Sequence, residues 1–339
     1  MKASSWLTKV PITTLAWVAL LGNGVVILQG AFVRATGAGA GCGSHWPTCN
    51  GEIIPLGAST ETLIEFTHRL LSGGVLLLGI WLLWRAWQVR KEQRGLFVFA
   101  TAAFVFLIIE ALLGAATVLL ELTGDNVSFF RGLMVATHLV NSLLLVGTLT
   151  LSVIYARKNA PWPLRISQQG TVATVLCVAL VSMLVLMFSG GIAAMGNTMF
   201  PSESLREGLA ADFDAASHIL IRLRVLHPLI AITVGVYLFL SLGLSRWLKP
   251  VPEAKRVTQL LLGVYLVQLV IGTANLALLA PIVLQLLHLM TAVLAFGLLT
   301  AVSAYTLGYG SPVRRGRLEP MELETAKLES PRLESAREG

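Results

Sequence analysis

Four histidines stand at matched places in four apolar segments of this chain: His68, His138, His227 and His288. Each falls within about two helical turns of the point where its segment leaves the same water phase. They form two pairs, 70 and 61 residues apart, one pair in each half of the chain. An ionisable side chain inside a membrane is costly, and histidine is rare there unless it has a task. Neutral imidazole is a common axial ligand of heme iron. Two sites with two nitrogen ligands each are met most simply by two bis-histidine hemes. Copper or zinc would ordinarily ask for more than two protein ligands per site. No Cys-x-x-Cys-His run is present, so covalent heme attachment is not expected. His45 and His218 fall in outer loops and read as solvated residues.

Other chemistry-bearing residues cluster near these histidines. Glu65 precedes His68 by three positions, so the two share a helix face. At about 1.5 Å rise per residue it lies about 4.5 Å nearer the outer surface. There a carboxyl group can serve as general acid or base, or act as an interfacial cap. Glu110 falls deep in an apolar segment and reads as a polar contact between helices. Cys42 and Cys49 flank a short outer loop, where an oxidising environment permits a disulfide. Closing so short a loop stabilises by about 2.5 kcal/mol. An exposed short-loop disulfide can also be redox-active, and the residues alone leave both roles open. Cys177 lies within a span and reads as a small packing residue. Arg69, Arg131, Arg222 and Arg224 lie at the outer edge, either as partners for heme propionates or as ordinary interfacial arginines.

The elements that position these groups follow from composition. The 339 residues are 55% hydrophobic and 13% charged, against about 25% charged in a soluble domain. A spanning helix needs roughly 20 apolar residues. Eight such stretches are read, at about 12–34, 62–84, 96–120, 132–156, 168–190, 220–245, 257–279 and 281–306, the last two joined by a tight turn at Ala280-Pro281. The fold class expected is all-α and integral to a membrane: eight transmembrane helices as two pseudo-symmetric four-helix bundles. Net charge is +7, but its placement argues against nucleic acid. Of the 25 Lys and Arg, six (Arg34, Arg69, Arg131, Arg206, Arg222 and Arg224) fall on the histidine side, and the other nineteen on the opposite side or in the tails. By the positive-inside bias both termini are expected in the cytoplasm. The first apolar stretch is longer than a signal h-region, with no evident cleavage site and no transit peptide before it. A bacterial cytoplasmic membrane is the expected home.

The halves repeat. Glu65-Phe-Thr-His68 matches Arg224-Val-Leu-His227, and His138-Leu-Val-Asn-Ser matches His288-Leu-Met-Thr-Ala. Glu110-Ala-Leu-Leu-Gly114 matches Gln268-Leu-Val-Ile-Gly272. Four spans per half make this a parallel repeat. Residues 1–160 are read as one bundle, 161–310 as the second, and 311–339 as a polar cytoplasmic tail without chemistry. The loop 35–61 carries two cysteines and its counterpart 191–219 none, and Glu65 is replaced by Arg224. One site then serves chemistry and the other supports it.

Together these residues resemble the heme A synthase family. The resemblance rests on Arg34-Ala-Thr-Gly37, on Gly41-Cys-Gly-Ser-His-Trp-Pro-Thr-Cys49 with Gly51-Glu-Ile-Ile-Pro55, and on Glu65-Phe-Thr-His68-Arg69-Leu. It continues through His138, Asn197-Thr-Met-Phe-Pro201, His227 and His288, and covers about residues 12–308. The Cys/Trp-Pro/Cys loop followed by Glu-x-x-His is its more specific part. The resemblance implies conversion of heme O to heme A, by oxidation of a ring methyl to a formyl group through hydroxylated intermediates, for terminal oxidase assembly. It implies heme O at His68 and His138 with Glu65 beside it, and a heme b cofactor at His227 and His288. It implies an electron-relaying role for Cys42 and Cys49. Some relatives carry a second cysteine pair after the fifth span, which this chain lacks. The implied partners are heme O, heme O synthase, terminal oxidase assembly factors and membrane lipid. The rival reading is a di-heme bis-histidine cytochrome b acting only in electron transfer. All four histidines near one face count against it, since a transmembrane carrier would stack its hemes across the bilayer.

Overall fold

The computed structural model describes residues 9–157 and 169–308. The sequence-based reading of a polar tail at 311–339, and most of the basic loop at 157–165, lie outside the described residues. Among the described residues the fold is helical, with one isolated bridge between Cys49 and Glu52. The helices are α1 (Ile12–Ala35), α2 (Thr60–Gln88), α3 (Arg94–Leu119), α4 (Phe129–Tyr155), α5 (Gly170–Met199), α6 (Leu205–Phe213), α7 (Ile219–Arg222), α8 (Leu226–Leu248), α9 (Pro252–Ala277) and α10 (Ile282–Gly308). Eight candidate membrane spans result, with α7 and α8 together forming one of them.

The sixth span is not one continuous helix. Pro228 has no N–H, and its ring would collide with the carbonyl four residues back, that of Arg224. The chain therefore turns at Leu223–Val225, where the His227 amide reaches back only to the Arg224 carbonyl, at 3.2 Å. Pro228 then sits in the first turn of α8, the one place a helix accepts it. The fifth span runs past its expected end near 190 to Met199, because Asn197 and Thr198 are used as polar contacts rather than as a stop. The turn between α9 and α10 is as tight as expected, with Leu279 and Ala280 both at positive φ (60° and 56°).

Two buried apolar clusters form, one mostly in each half, with Leu143 and Val146 of α4 reaching into the second and Ala304 of α10 into the first. Leu15, Ala19, Leu82, Leu96 and Ala103 belong to one, and Leu176, Met183, Leu238, Leu261 and Leu299 to the other. Helix contacts run in the same order in both halves: α1 with α2, α2 with α3, α3 with α4 and α1 with α4, then α5 with α8, α8 with α9, α9 with α10 and α5 with α10. The halves meet through α4, which touches α5 and α10, and through α1 against α10. At the helix ends away from the histidines, Lys249 Nζ donates to Gln169 Oε1 (2.6 Å), whose amide donates to the Leu307 carbonyl (2.6 Å). Burial holds this ammonium below the ordinary lysine range. Cys177, expected to pack inside, is exposed on α5, while Ala173, Leu176 and Ala179 of the same helix are buried.

Arg34, near the C-terminal end of α1, ties the halves together. It donates to the Ala194 carbonyl (3.2 Å) and Thr198 Oγ1 (2.6 Å) on α5, and to Gln285 Oε1 (2.8 Å) on α10. Hydrogen bonds from a charged group contribute about 1.5–3 kcal/mol each when made in partial burial. Arg34→Ala is therefore expected to destabilise the folded protein by roughly 2–3 kcal/mol in detergent, less than the gross sum because water replaces part of the network. Chemical denaturation checks this, and an unchanged midpoint would show that the three contacts carry no net stability.

Candidate functional site

The histidines occupy equivalent positions along their helices. His68 is residue nine of α2, His138 residue ten of α4, and His288 residue seven of α10. His227 is residue nine of the α7–α8 span. All four imidazoles are half-buried.

In the second half the rings of His227 and His288 face each other with centroids 6.2 Å apart and planes at 87°. An iron held between two imidazoles at a metal–nitrogen distance of about 2 Å puts the ring centroids roughly 6 Å apart. His227 Nδ1 lies 3.1 Å from Ser189 Oγ, which leaves Nε2 as the coordinating nitrogen. His288 Nε2 meets Gln268 Nε2 at 3.3 Å, while its Nδ1 is buried without a hydrogen bond. Gln268 also accepts from the Thr291 hydroxyl. In the first half His68 Nδ1 is likewise buried without a partner. The His68 and His138 imidazoles lie within electrostatic range of one another and of Glu110. His138 Nδ1 is 3.2 Å from Glu110 Oε2, but the two are not aligned for a hydrogen bond. Glu110 accepts instead from Asn141 and Ser142 on α4. So the polar residue on α3 and its counterpart on α9 each brace the histidine-bearing helix beside it. Imidazoles facing each other at this separation, one oriented by a hydroxyl and the other on a braced helix, can hold an iron between two nitrogens.

Above the first pair sits the cysteine loop. Cys42 and Cys49 are joined in a disulfide, and Trp46-Pro47 between them is cis. The loop is seated on the start of α2 by backbone proximity. A side chain at Gly41 would lie 2.5 Å from the Glu61 carbonyl group, and the Gly41 carbonyl accepts from Thr62 Oγ1 at 2.7 Å. Glu65 is the keystone. Its Oε2 accepts the Cys42 amide at 2.8 Å, and its Oε1 accepts Arg69 Nη2 at 2.5 Å. Arg69 Nη1 in turn donates to the carbonyls of His45 and Thr48, both at 2.6 Å. One buried carboxylate thus connects the disulfide to the helix turn that carries His68.

The remaining arginines have distinct surroundings. Arg131 is buried and donates to the Gly124 and Asn126 carbonyls (2.7 and 2.8 Å) of the loop before α4. Arg224, the counterpart of Glu65, pairs with Asp212 of α6 at 2.8 Å and with Asn197 Oδ1 at 2.9 Å. Arg222 is exposed. His218 is less free than its loop position suggests: it caps α7 through Nδ1 and packs on Phe200 at 4.8 Å between centroids. The COX15-CtaA family, described as cytochrome oxidase assembly protein, matches residues 13–300 of this chain.

The chain belongs to the COX15-CtaA family.

Among individual relatives, a Thermus thermophilus protein named protoheme IX farnesyltransferase is 43% identical over 296 residues. The match takes in 86% of this chain and 47% of that protein, so the chain spans about half the length of the Thermus relative. Proteins named heme A synthase from Bacillus mycoides and Bacillus cereus are 48% and 47% identical over 94 residues. That is 28% of this chain and 30% of each Bacillus protein. Two features of the COX15-CtaA chain are not legible in its sequence. The sequence places Arg34 at the outer edge and in the Arg34-Ala-Thr-Gly37 motif but not its role between the halves, since its acceptors on α5 and α10 are distant in the chain. The Glu65–Cys42 contact carries no sequence signal, because it depends on how an irregular loop folds back.

Proposed function

We propose that this membrane protein oxidises a ring methyl of heme O to the formyl group of heme A, through hydroxylated intermediates. The observation that carries the reading is the asymmetry of two otherwise matched histidine pairs. Only the His68 helix holds a buried carboxylate, and that carboxylate is hydrogen-bonded to the amide of a disulfide cysteine. His68 and His138 hold the substrate heme O, and His227 and His288 hold a resident heme b. When bound, heme b supplies a one-electron couple. Glu65, one turn from His68, moves a proton or balances charge at the reacting methyl. Arg69 fixes Glu65 and closes the loop over the outer end of the site. The exposed Arg222 remains available to a propionate, while Arg69, Arg131 and Arg224 would have to share their protein partners with one. Cys42 and Cys49 either relay electrons or hold the loop in place.

The positive-inside bias supports placement in a bacterial cytoplasmic membrane with both termini inside. The Thermus name raises prenyl transfer as a second reading. More than half of that protein lies beyond the match, and this chain has only three aspartates, Asp125, Asp212 and Asp214, with no Asp-rich motif for a Mg-diphosphate. We therefore assign prenylation to the unmatched portion of the relative, and take heme O synthase as the supplier of substrate to this chain. Terminal oxidase assembly receives the product. A purely electron-transferring di-heme cytochrome would need neither Glu65 nor the loop it seats. The test is to co-express the protein with a heme O source and separate extracted hemes by chromatography. Heme A or its hydroxylated precursor is expected, and unchanged heme O would overturn the enzyme reading.

A further inference from the structure

Each of the four histidines faces a glycine on the helix that precedes its own in the bundle. A Cβ built at Gly30 of α1 would lie 3.0 Å from His68 Cε1. At Gly190 of α5 it would lie 2.9 Å from His227 Cε1, and at Gly272 of α9 it would lie 2.7 Å from His288 Cε1. The fourth contact is looser: a Cβ at Gly114 of α3 would lie 3.8 Å from His138 Nε2, which is ordinary van der Waals distance. None of the four glycines has a positive φ, so backbone conformation does not explain them. Space does. Gly30 and Gly190 are 160 residues apart and Gly114 and Gly272 are 158 apart, so the same two contacts recur in both halves.

We propose that Gly30, Gly190 and Gly272 are positioning residues that set the plane of the heme-ligating imidazoles, an inference that rests on the heme reading above. Each leaves a slot one methyl group deep in the neighbouring helix, and the edge of the imidazole lies in it. A free imidazole can escape an added methyl by turning about its side-chain torsions. One bound to iron cannot, because the coordinating nitrogen and the ring plane are both fixed. The cost of alanine therefore falls on the ligated state and not on the bare helix bundle. Ligand geometry has to be held within about 0.5 Å by its supporting shell. A Cβ at 2.7 Å, where ordinary contact begins at 3.4 Å, demands a larger shift than that. At His138 the slot has room to spare, and Glu110 stands beside the ring instead. The substrate pair thus has one ring held on its edge and one held loosely, while the cofactor pair has both held.

The test uses the purified full-length holoprotein and four variants: Gly30→Ala, Gly114→Ala, Gly190→Ala and Gly272→Ala. The readouts are the optical and electron paramagnetic resonance spectra of the low-spin ferric hemes, whose anisotropy follows the angle between the imidazole planes, and the rate of heme loss to an acceptor. Gly190→Ala and Gly272→Ala are expected to shift the signal of one heme and to speed its loss by about 10- to 100-fold, as perturbed ligand support generally does. Gly30→Ala is expected to shift the other heme. Gly114→Ala is expected to match the wild type, which makes it the internal control for alanine in a packed helix. Thermal unfolding of protein produced under heme depletion is expected to be unchanged in all four. Should Gly272→Ala not accumulate, Gly30→Ala has the mildest approach of the three and carries the same spectral test. A wild type with two bis-imidazole hemes and four variants of identical spectrum would overturn the glycine proposal alone. A wild type without a Soret band would overturn the heme reading beneath it.

Discussion

Replacing His227 with alanine is expected to remove one of two hemes and leave the other in place. The two pairs sit on different helices and are braced by different residues, Glu110 and Gln268, so each site should fill on its own. His227 and His288 face each other at 6.2 Å, and loss of one axial ligand leaves a single imidazole with an empty opposite face. Loss of a partner that supports a metal ligand typically weakens metal binding about 10- to 100-fold, and removal of the axial ligand itself lies at or beyond the upper end. Heme extraction and the pyridine hemochrome spectrum should therefore fall from about two hemes per chain to about one, with the His68/His138 spectrum preserved. His68→Ala should give the reciprocal loss. If His227→Ala keeps both hemes with unaltered low-spin spectra, His227 is not a ligand and the pairing has to be abandoned.

The second large effect is expected at Glu65. Its carboxylate accepts from both the Cys42 amide and Arg69, so two variants separate its geometry from its charge. Glu65→Gln keeps an acceptor for the Cys42 amide and a similar volume, and leaves the cysteine loop seated. Glu65→Ala removes the seat as well. General acid–base groups contribute about 10²- to 10⁴-fold to rate, so both variants should lose at least about 100-fold in heme A formation while retaining heme. Only Glu65→Ala should also expose the Cys42–Cys49 bond to faster reduction by an external thiol. Full turnover by Glu65→Gln, with turnover lost only in Glu65→Ala, would make Glu65 a loop anchor and remove it from the chemistry.

The spans are legible because apolar length is a direct demand of the bilayer, and the histidines stand out because few other ionisable groups interrupt that pattern. Two boundaries differ from expectation for physical reasons. Asn197 and Thr198 look like a helix end, yet they extend α5 because Arg224 and Arg34 take up their polar atoms. Pro228 does signal a break in the sixth span, but the Glu65/Arg224 alignment masks it by treating both stretches as continuous helix. The glycine slots are half visible. Gly114 and Gly272 fall into register in the repeat, but whether a glycine meets an imidazole depends on how two helices are rotated against each other. That rotation is decided by the whole packed interface and not by either sequence segment. Cys177 shows the same limit from the other side: its place in a span is clear from sequence and its outward face is not.

Arg34 also bears on the order in which the chain is built. Its acceptors on α5 lie 160 and 164 residues further on, and Gln285 lies 251 residues further on. During synthesis from the N-terminus, the guanidinium on α1 waits first for α5 and then for α10 to enter the membrane. A charge left without partners at a membrane edge is costly and draws water or headgroups around it. Insertion of α5 relieves part of that cost through Ala194 and Thr198, and closure of the α9–α10 hairpin brings Gln285 to complete the set. α1 is thus inserted well before its hydrogen bonds are complete, and a chain truncated before α10 would hold Arg34 by its α5 acceptors alone, without Gln285.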